Sequence, residues 1–179
     1  MDPYDYTRFT AAKKVALALE SLIRLQFPRD KLYIVGFGDY ARELKVQDLP
    51  YVTVGPEHTN TQGGLELARK LLNRDRSANR QIILITDGKP TAATINGRLY
   101  IHTWGVHPAI LEATFLEALR CRKSGITINT FMLADDYYLV DFVHRLTQIC
   151  QGRAFYTTPH RLGEYVIIDY INKKKKHIV

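Results

Sequence analysis

The sequence predicts an α/β protein with a doubly wound, mainly parallel sheet and helices on both faces. Three observations carry that expectation. The runs KLYIVGFG and QIILIT are short apolar stretches bounded by glycine or polar residues, the pattern of buried strands, and ITINTFML reads as a further strand. Segments of ten or more residues with helical spacing separate them, which favours crossover connections and parallel pairing. The stretch ILITDGKPT, Ile83 to Thr91, runs four residues into the lone acid Asp87, a glycine and a proline, so a carboxylate stands at the carboxyl end of a strand. Open α/β sheets collect their ligands at that edge.

Taken in order, Thr10 to Gln26 places Val15, Leu19, Leu22 and Ile23 on one face and is expected to be a helix stopped by Pro28. Lys31 to Gly38 reads as the first strand, and Tyr51 to Val54 as a shorter β-rich piece before Gly55-Pro56. Gly63 to Leu72 sets Leu65, Ala68, Leu71 and Leu72 at helical spacing, and Gln81 to Thr86 is the next strand. Thr91 to Pro108 shows no clear period and reads as a loop or small excursion around Trp104. Pro108 opens a helix to about Lys123, with Gly125 as its cap. Ile126 to Leu133 is a strand, Tyr138 to Cys150 a helix ended by Gly152, RAFYTT a last strand and Arg161 to Asn172 a last helix. With no repeat or linker visible, residues 1–179 read as one domain with a basic tail at 173–179.

Composition excludes several classes. The 179 residues suffice for a well-buried core, and 46% hydrophobic content is ordinary for a globular chain. No apolar run approaches the roughly 20 residues that span a bilayer. The start MDPYDYTRF is acidic and aromatic, unlike a signal peptide. Cys121 and Cys150 match no metal-ligand spacing and read as buried thiols of a reducing, cytoplasmic setting. Net charge is +7, but Lys173 to Lys176 supply four of the charges, leaving +3 on residues 1–172. The basic character is thus expected to be a solvated terminal run.

Two polar clusters stand out. Thr59, Asn60 and Thr61, within EHTNTQGG, crowd small oxygen donors just ahead of a helix. Taken alone they are N-capping residues, and Asp87 taken alone is a loop acid. Together they place hydroxyl and carboxylate oxygens, which suit a hard cation such as Mg²⁺, at the ligand-collecting edge of the sheet. The six histidines show no zinc spacing. Asp135-Asp136 sits where acids cap helices, and Tyr137, Tyr138, Phe155 and Tyr156 read as core and rim.

LITDGKP, with HTNTQGGLELARKLL upstream, resembles the von Willebrand factor A (VWA) domain, with the nearest likeness to bacterial proteins of the CoxE-like group. RFTAAKKVALALESLI, YIVGFGD, GITINTFML and GRAFYTTP extend the resemblance over essentially the whole chain. The metal-ion-dependent adhesion site of that family (MIDAS) uses a DxSxS motif, a threonine turn and a TDG strand end. The resemblance implies Thr59 as the threonine ligand and Asp87 as the acid that meets Mg²⁺ or Mn²⁺ directly or through water, with Thr61 the alternative ligand. It also implies a non-enzymatic interaction module whose metal accepts a carboxylate from a protein partner. CoxE-like relatives work beside AAA+ ATPases of the MoxR type, which suggests a role in complex or cofactor assembly.

DxSxS is absent from this chain, and Met1 stands where a methionine commonly follows it. The sequence is therefore expected to begin just after the motif, as a truncation or a start assigned too far downstream, with DxSxS encoded before the Met1 codon. The first central strand would then be missing and the metal site incomplete. Binding of Mg²⁺ or Mn²⁺ is expected to be weak or absent, and Asp87 to be held by backbone N–H groups or by Thr59. Asp2 and Asp5 offer substitute oxygens but are expected to fray. Omitting a central strand leaves its neighbours about twice 4.8 Å apart, to be closed up, filled by EYVIIDYI, or filled by another chain through self-association. Two other readings are weaker. TDGKPT faintly resembles the DxDGT loop of haloacid-dehalogenase phosphatases, but Ile85 stands where their nucleophilic aspartate would be. Nucleic-acid binding rests on the basic tail alone.

Overall fold

The computed structural model describes residues 3–53, 58–75, 79–134 and 136–175. Met1, Asp2, Val54 to Glu57, Asp135 and Lys176 lie outside them, so the expectations placed on those residues are not addressed. Of Asp5 only the helical backbone is described.

Helix α1 spans Pro3–Gln26, beginning seven residues before the expected start. Proline at a first helical position costs nothing, because its missing N–H would be unsatisfied there and its φ is already helical. Asp5 thus belongs to a helix rather than to a frayed end. Strands β1 (Ile34–Phe37) and β2 (Ala41–Leu44) form an antiparallel hairpin, followed by a 3₁₀ helix over Val46–Tyr51. The expected β-rich piece at Tyr51 is therefore the end of that helix, with Leu49 buried as its anchor. Helix α2 (Thr61–Leu72), strand β3 (Arg80–Thr86) and helix α3 (Pro108–Lys123) follow the periodicity closely. Between β3 and α3 the chain makes a second hairpin, β4 (Ala92–Ile95) and β5 (Arg98–Ile101). Its turn is Asn96-Gly97, both at positive φ, 51° and 75°, as two-residue hairpin turns of the primed type require. Strand β6 (Ile126–Met132), helix α4 (Tyr137–Cys150), strand β7 (Ala154–Tyr156) and helix α5 (Leu162–Lys175) complete the order. The segment EYVIIDYI lies within α5, so it does not serve as a strand.

The sheet is parallel in the order β3-β6-β7, with Arg80 to Thr86 paired residue for residue to Ile126 to Met132. Strand alternation divides its side chains between two cores. Ile82, Leu84, Ile128 and Met132 pack against α2, α3 and α4, around Leu65, Phe142, Leu146 and the free thiols of Cys121 and Cys150. Ile83, Ile85, Phe131 and Leu133 face α1 and α5, which contribute Val15, Leu19, Ile23, Leu162 and Val166. Each fully buried side chain of this kind contributes about 1.5–3 kcal/mol. The doubly wound arrangement follows directly from the two-sided apolar character of the strands.

β1 is bonded only to β2, and β3 only to β6. Among the described residues nothing bridges β1 and β3, and a cavity of about 910 Å³ lies between them. Among the described residues β1-β2 and β3-β6-β7 are thus separate sheets. The basic stretch at the carboxyl end also differs from a free tail. α5 continues through Lys175, Lys174 pairs with Asp30, and burial pushes the Lys173 ammonium below the usual lysine range.

Candidate functional site

The carboxyl ends of β1 and β3 and the start of α2 meet at one edge of the sheet. Asn60 is the N-cap of α2, its Oδ1 accepting from the Gly63 N–H at 2.8 Å, while its Nδ2 donates to the Asp39 carbonyl at 2.9 Å. The capping reading of this cluster therefore belongs to Asn60, which frees Thr59 for another role. Asp39 follows β1 as Asp87 follows β3, and its Oδ1 accepts from both the backbone N–H and Nδ1 of His58, each at 2.8 Å. Those bonds, the backbone one foremost, hold the Asp39 carboxyl below the usual carboxylate range.

Thr59 is locked by its backbone. Its N–H donates to Thr91 Oγ1 at 2.9 Å, and its carbonyl accepts from the N–H groups of Thr91 and Ala92 at 3.0 and 3.3 Å. The loop ahead of α2 is thereby stitched to the segment that leads into the β4–β5 hairpin. On the other strand end, Thr86 Oγ1 donates to the Gly88 carbonyl at 2.9 Å, closing the turn that presents Asp87. The two loops touch: a Cβ added at Gly88 would lie 3.9 Å from Thr59 Oγ1. Thr59 and Asp87, distant in sequence, thus share one half-exposed platform.

Asp87 is met by a guanidinium. Arg8 of α1 places Nη1 3.7 Å from Asp87 Oδ2, with the two side chains 29% and 41% exposed. At that exposure an ion pair is worth about 0–1 kcal/mol, so it neutralises the acid without fixing it. Thr61 is 1% exposed, and its hydroxyl has no hydrogen-bond partner among the described residues. The oxygens are of the kind a hard cation takes. They are few, however: the described residues contain no group of three or more His, Cys, Asp or Glu able to hold a metal. Magnesium demands near-octahedral oxygen coordination, and a cation already stands beside the one carboxylate. Among the described residues, these side chains do not by themselves make up the full ligand set of a divalent ion.

Arg8, Asp39, His58 and Thr91 were not singled out by sequence reasoning. A signal existed for Asp39, an acid immediately after an apolar strand, just as at Asp87. None existed for Arg8, whose place depends on how α1 lies across the sheet. Asp136 does cap, its Oδ1 accepting from the Leu139 N–H at 3.1 Å.

A family profile described as "Rv0959-like protein, vWA domain" matches residues 4–171. The uncharacterized protein Rv0959 of Mycobacterium tuberculosis strain H37Rv is 29% identical over 174 residues, covering 94% of this chain and 26% of that protein. The uncharacterized protein Mb0984 of Mycobacterium bovis matches to the same extent. The chain thus spans about a quarter of the length of the curated relatives it matches. Among solved structures, the vWF domain of the type V pili tip protein Mfa5 from Porphyromonas gingivalis superposes with a TM-score of 0.68 at 17% identity, covering 92% of this chain and 90% of that one. The SpRpn10 VWA domain superposes with a TM-score of 0.56 at 12% identity, covering 84% and 76%. At these identities the structures speak for the fold alone.

Proposed function

Because the chain belongs to the Rv0959-like vWA domain family, we propose that it is a non-enzymatic protein-interaction module that receives its partner at the platform formed by Thr59 and Asp87. The observation that supports this is the convergence of two separately braced loops on one half-exposed edge, where the backbone of Thr59 is bonded to Thr91 and Ala92 and Asp87 stands beside Arg8. Such a surface has the rigidity recognition needs, and its acid is held only by a half-exposed ion pair.

In a complete site the ion is Mg²⁺ or Mn²⁺, with Thr59 and Asp87 as two of its ligands and Thr61 in reserve. In this chain the binding is weak or absent. Metal at this platform would take up an acidic side chain of the partner. The likeness to CoxE-like proteins favours an AAA+ ATPase of the MoxR type as that partner, in complex or cofactor assembly in the cytoplasm. No helix of the described residues is long and apolar enough to cross a membrane. A hydrolase using Asp87 is less well supported, since Ile85 occupies the nucleophile position. Nucleic-acid binding is weakened by the engagement of Lys174 with Asp30.

The test is co-purification of a MoxR-type ATPase with a version of the chain extended by a DxSxS strand, comparing that version with its Asp87→Ala variant. A complex that forms with Mg²⁺ and is lost in the variant is expected. No complex, or one that survives the substitution undiminished, would overturn the proposal.

A further inference from the structure

Helix α3 carries two stripes at helical spacing. Ile110, Thr114, Ala118 and Cys121 are fully buried and serve the interior. One position on in each turn, Leu111, Phe115 and Leu119 recur with Leu116 beside them, and none of these four is fully covered. Leu111 and Phe115 reach the core only at its margin, and Leu116 is 48% exposed. Together with Ile149 of α4 this second stripe lines a groove of about 570 Å³ between the two helices. Phe115 is anchored there by stacking on Phe142, the ring centroids 5.7 Å apart.

The charged groups on the groove are Glu112, Arg122 and Arg145. Arg145 stands over the Phe115 ring, its guanidinium carbon 4.7 Å from the centroid. Arg122 Nη1 donates to the Ile149 carbonyl at 3.2 Å, tying the last turn of α3 to the end of α4. Ring and carbonyl thus hold both guanidiniums in place, and neither has a carboxylate partner among the described residues. Each guanidinium has five N–H donors, so most of them stay available to an incoming acid. Lys123 lies in the same last turn of α3. Two guanidiniums against one carboxylate make the groove electropositive.

We propose that this groove docks an amphipathic acidic helix of a protein partner, with apolar side chains laid on the Leu111–Leu119 stripe and carboxylates set against Arg122 and Arg145. The walls are helices, whose backbone groups are already bonded, so the occupant must satisfy its own backbone, as a helix does. From Leu111 to Arg122, α3 runs about 17 Å at ~1.5 Å per residue, room for about three turns. Paired N–H donors of guanidinium suit carboxylates, which selects an acidic partner over a basic one. A second copy of this chain fits poorly, because a two-fold contact would set the same guanidiniums against each other. None of the lining residues belongs to the Thr59–Asp87 platform, so the inference stands whether or not that platform binds a partner.

The experiment is fluorescence anisotropy of the full chain with two labelled helical peptides of about sixteen residues, long enough to hold some helix in water. One has a leucine face and glutamate elsewhere; the other has lysine in place of each glutamate. The acidic peptide is expected to bind wild type with micromolar affinity, more weakly as salt rises, and the lysine peptide to bind far less. Reversing both charges, Arg122→Glu with Arg145→Glu, should weaken the acidic peptide by roughly tenfold or more and strengthen the lysine peptide. Leu116→Glu, at a half-exposed position that the fold does not need, should also weaken the acidic peptide, and circular dichroism checks that each variant is folded. No saturable binding of the acidic peptide to wild type, equal binding of the two peptides, or undiminished binding in the charge-reversed variant would overturn the proposal. Co-sedimentation with phosphatidylserine vesicles in place of peptide binding would assign the groove to a lipid surface instead. A dimer in ultracentrifugation that Leu116→Glu dissolves would assign it to a second copy.

Discussion

Substituting Gly152 by alanine tests the packing of the sheet most sharply. Gly152 lies in the turn between α4 and β7, and a Cβ placed there would fall 1.6 Å from the Ile128 carbonyl oxygen and 2.7 Å from its carbon. Carbon atoms do not approach other heavy atoms so closely, and the obstacle is backbone of the central strand rather than a mobile side chain. The turn would have to withdraw by more than an ångström. Withdrawal breaks the bond from Thr130 N–H to the Arg153 carbonyl, 2.8 Å, and the bond from Arg153 N–H to Asn129 Oδ1, 3.1 Å. Two such bonds are worth about 2 kcal/mol together, and leaving the buried Asn129 oxygen unpaired adds about 1 kcal/mol more. With residual overpacking the loss should reach about 3–5 kcal/mol. For a chain of this size a urea slope of about 2 kcal/mol/M converts that into a midpoint lower by about 1.5–2.5 M. The comparison is Gly97→Ala, where φ is +75° but nothing lies within 4 Å of the new carbon, so only backbone strain of about 1 kcal/mol applies. Urea unfolding followed by circular dichroism measures both. A Gly152→Ala midpoint no lower than that of Gly97→Ala would refute the reasoning.

Other outcomes follow from buried charge, thiol and metal. Glu117 is fully buried, held by Arg69 Nε at 2.5 Å and Arg120 Nη1 at 2.9 Å, with Arg69 20% and Arg120 61% exposed. Arg69→Ala should therefore cost about 3 kcal/mol by stripping a buried carboxylate, and Arg120→Ala less than about 1 kcal/mol; equal costs in urea unfolding would contradict this. Burial, chiefly, pushes the Cys121 thiol from 9.0 up to about 12. The unfolded thiol ionises first as pH rises, so stability attributable to this group is intact below pH 9 and falls between 9 and 12. Ellman's reagent at pH 8 should label Cys121 only as fast as the chain opens, and rapid stoichiometric labelling of the native protein would disprove it. Calorimetry with Mg²⁺ or Mn²⁺ should show no saturable binding at millimolar metal in this chain. A version extended with a DxSxS strand should bind, and Asp87→Ala in that version should abolish it. Micromolar affinity in the present chain would reject the account and direct attention to Asp2 and Asp5.

Legibility in the sequence followed burial. β3 and β6 are covered on both faces, so most of their middle positions are apolar on either side, and QIILIT and ITINTFML announced themselves. α2 and α4 each bury one face, and their three-to-four spacing of leucines was readable for the same reason. The β4–β5 hairpin, by contrast, consists of four-residue strands, and only Ala92 and Ala93 are buried. That leaves no alternation to detect. The Asn96-Gly97 turn was the one available sign. The six-residue 3₁₀ helix at Val46–Tyr51 is held mainly by Leu49, too little pattern to separate it from a strand.

By itself the sequence determined the α/β class and the positions of Asp87 at the carboxyl end of β3 and Thr59 just ahead of α2. Hydrophobic period and the chemistry of element ends are local properties, encoded within a few turns of chain. The tertiary structure alone decided that Arg8 would stand beside Asp87, that Thr91 would brace Thr59, and that β1 and β3 would remain apart around a cavity of about 910 Å³. Those facts depend on how elements remote in sequence lie across one another. Packing of that kind is settled by the whole core, and no local run of residues records it.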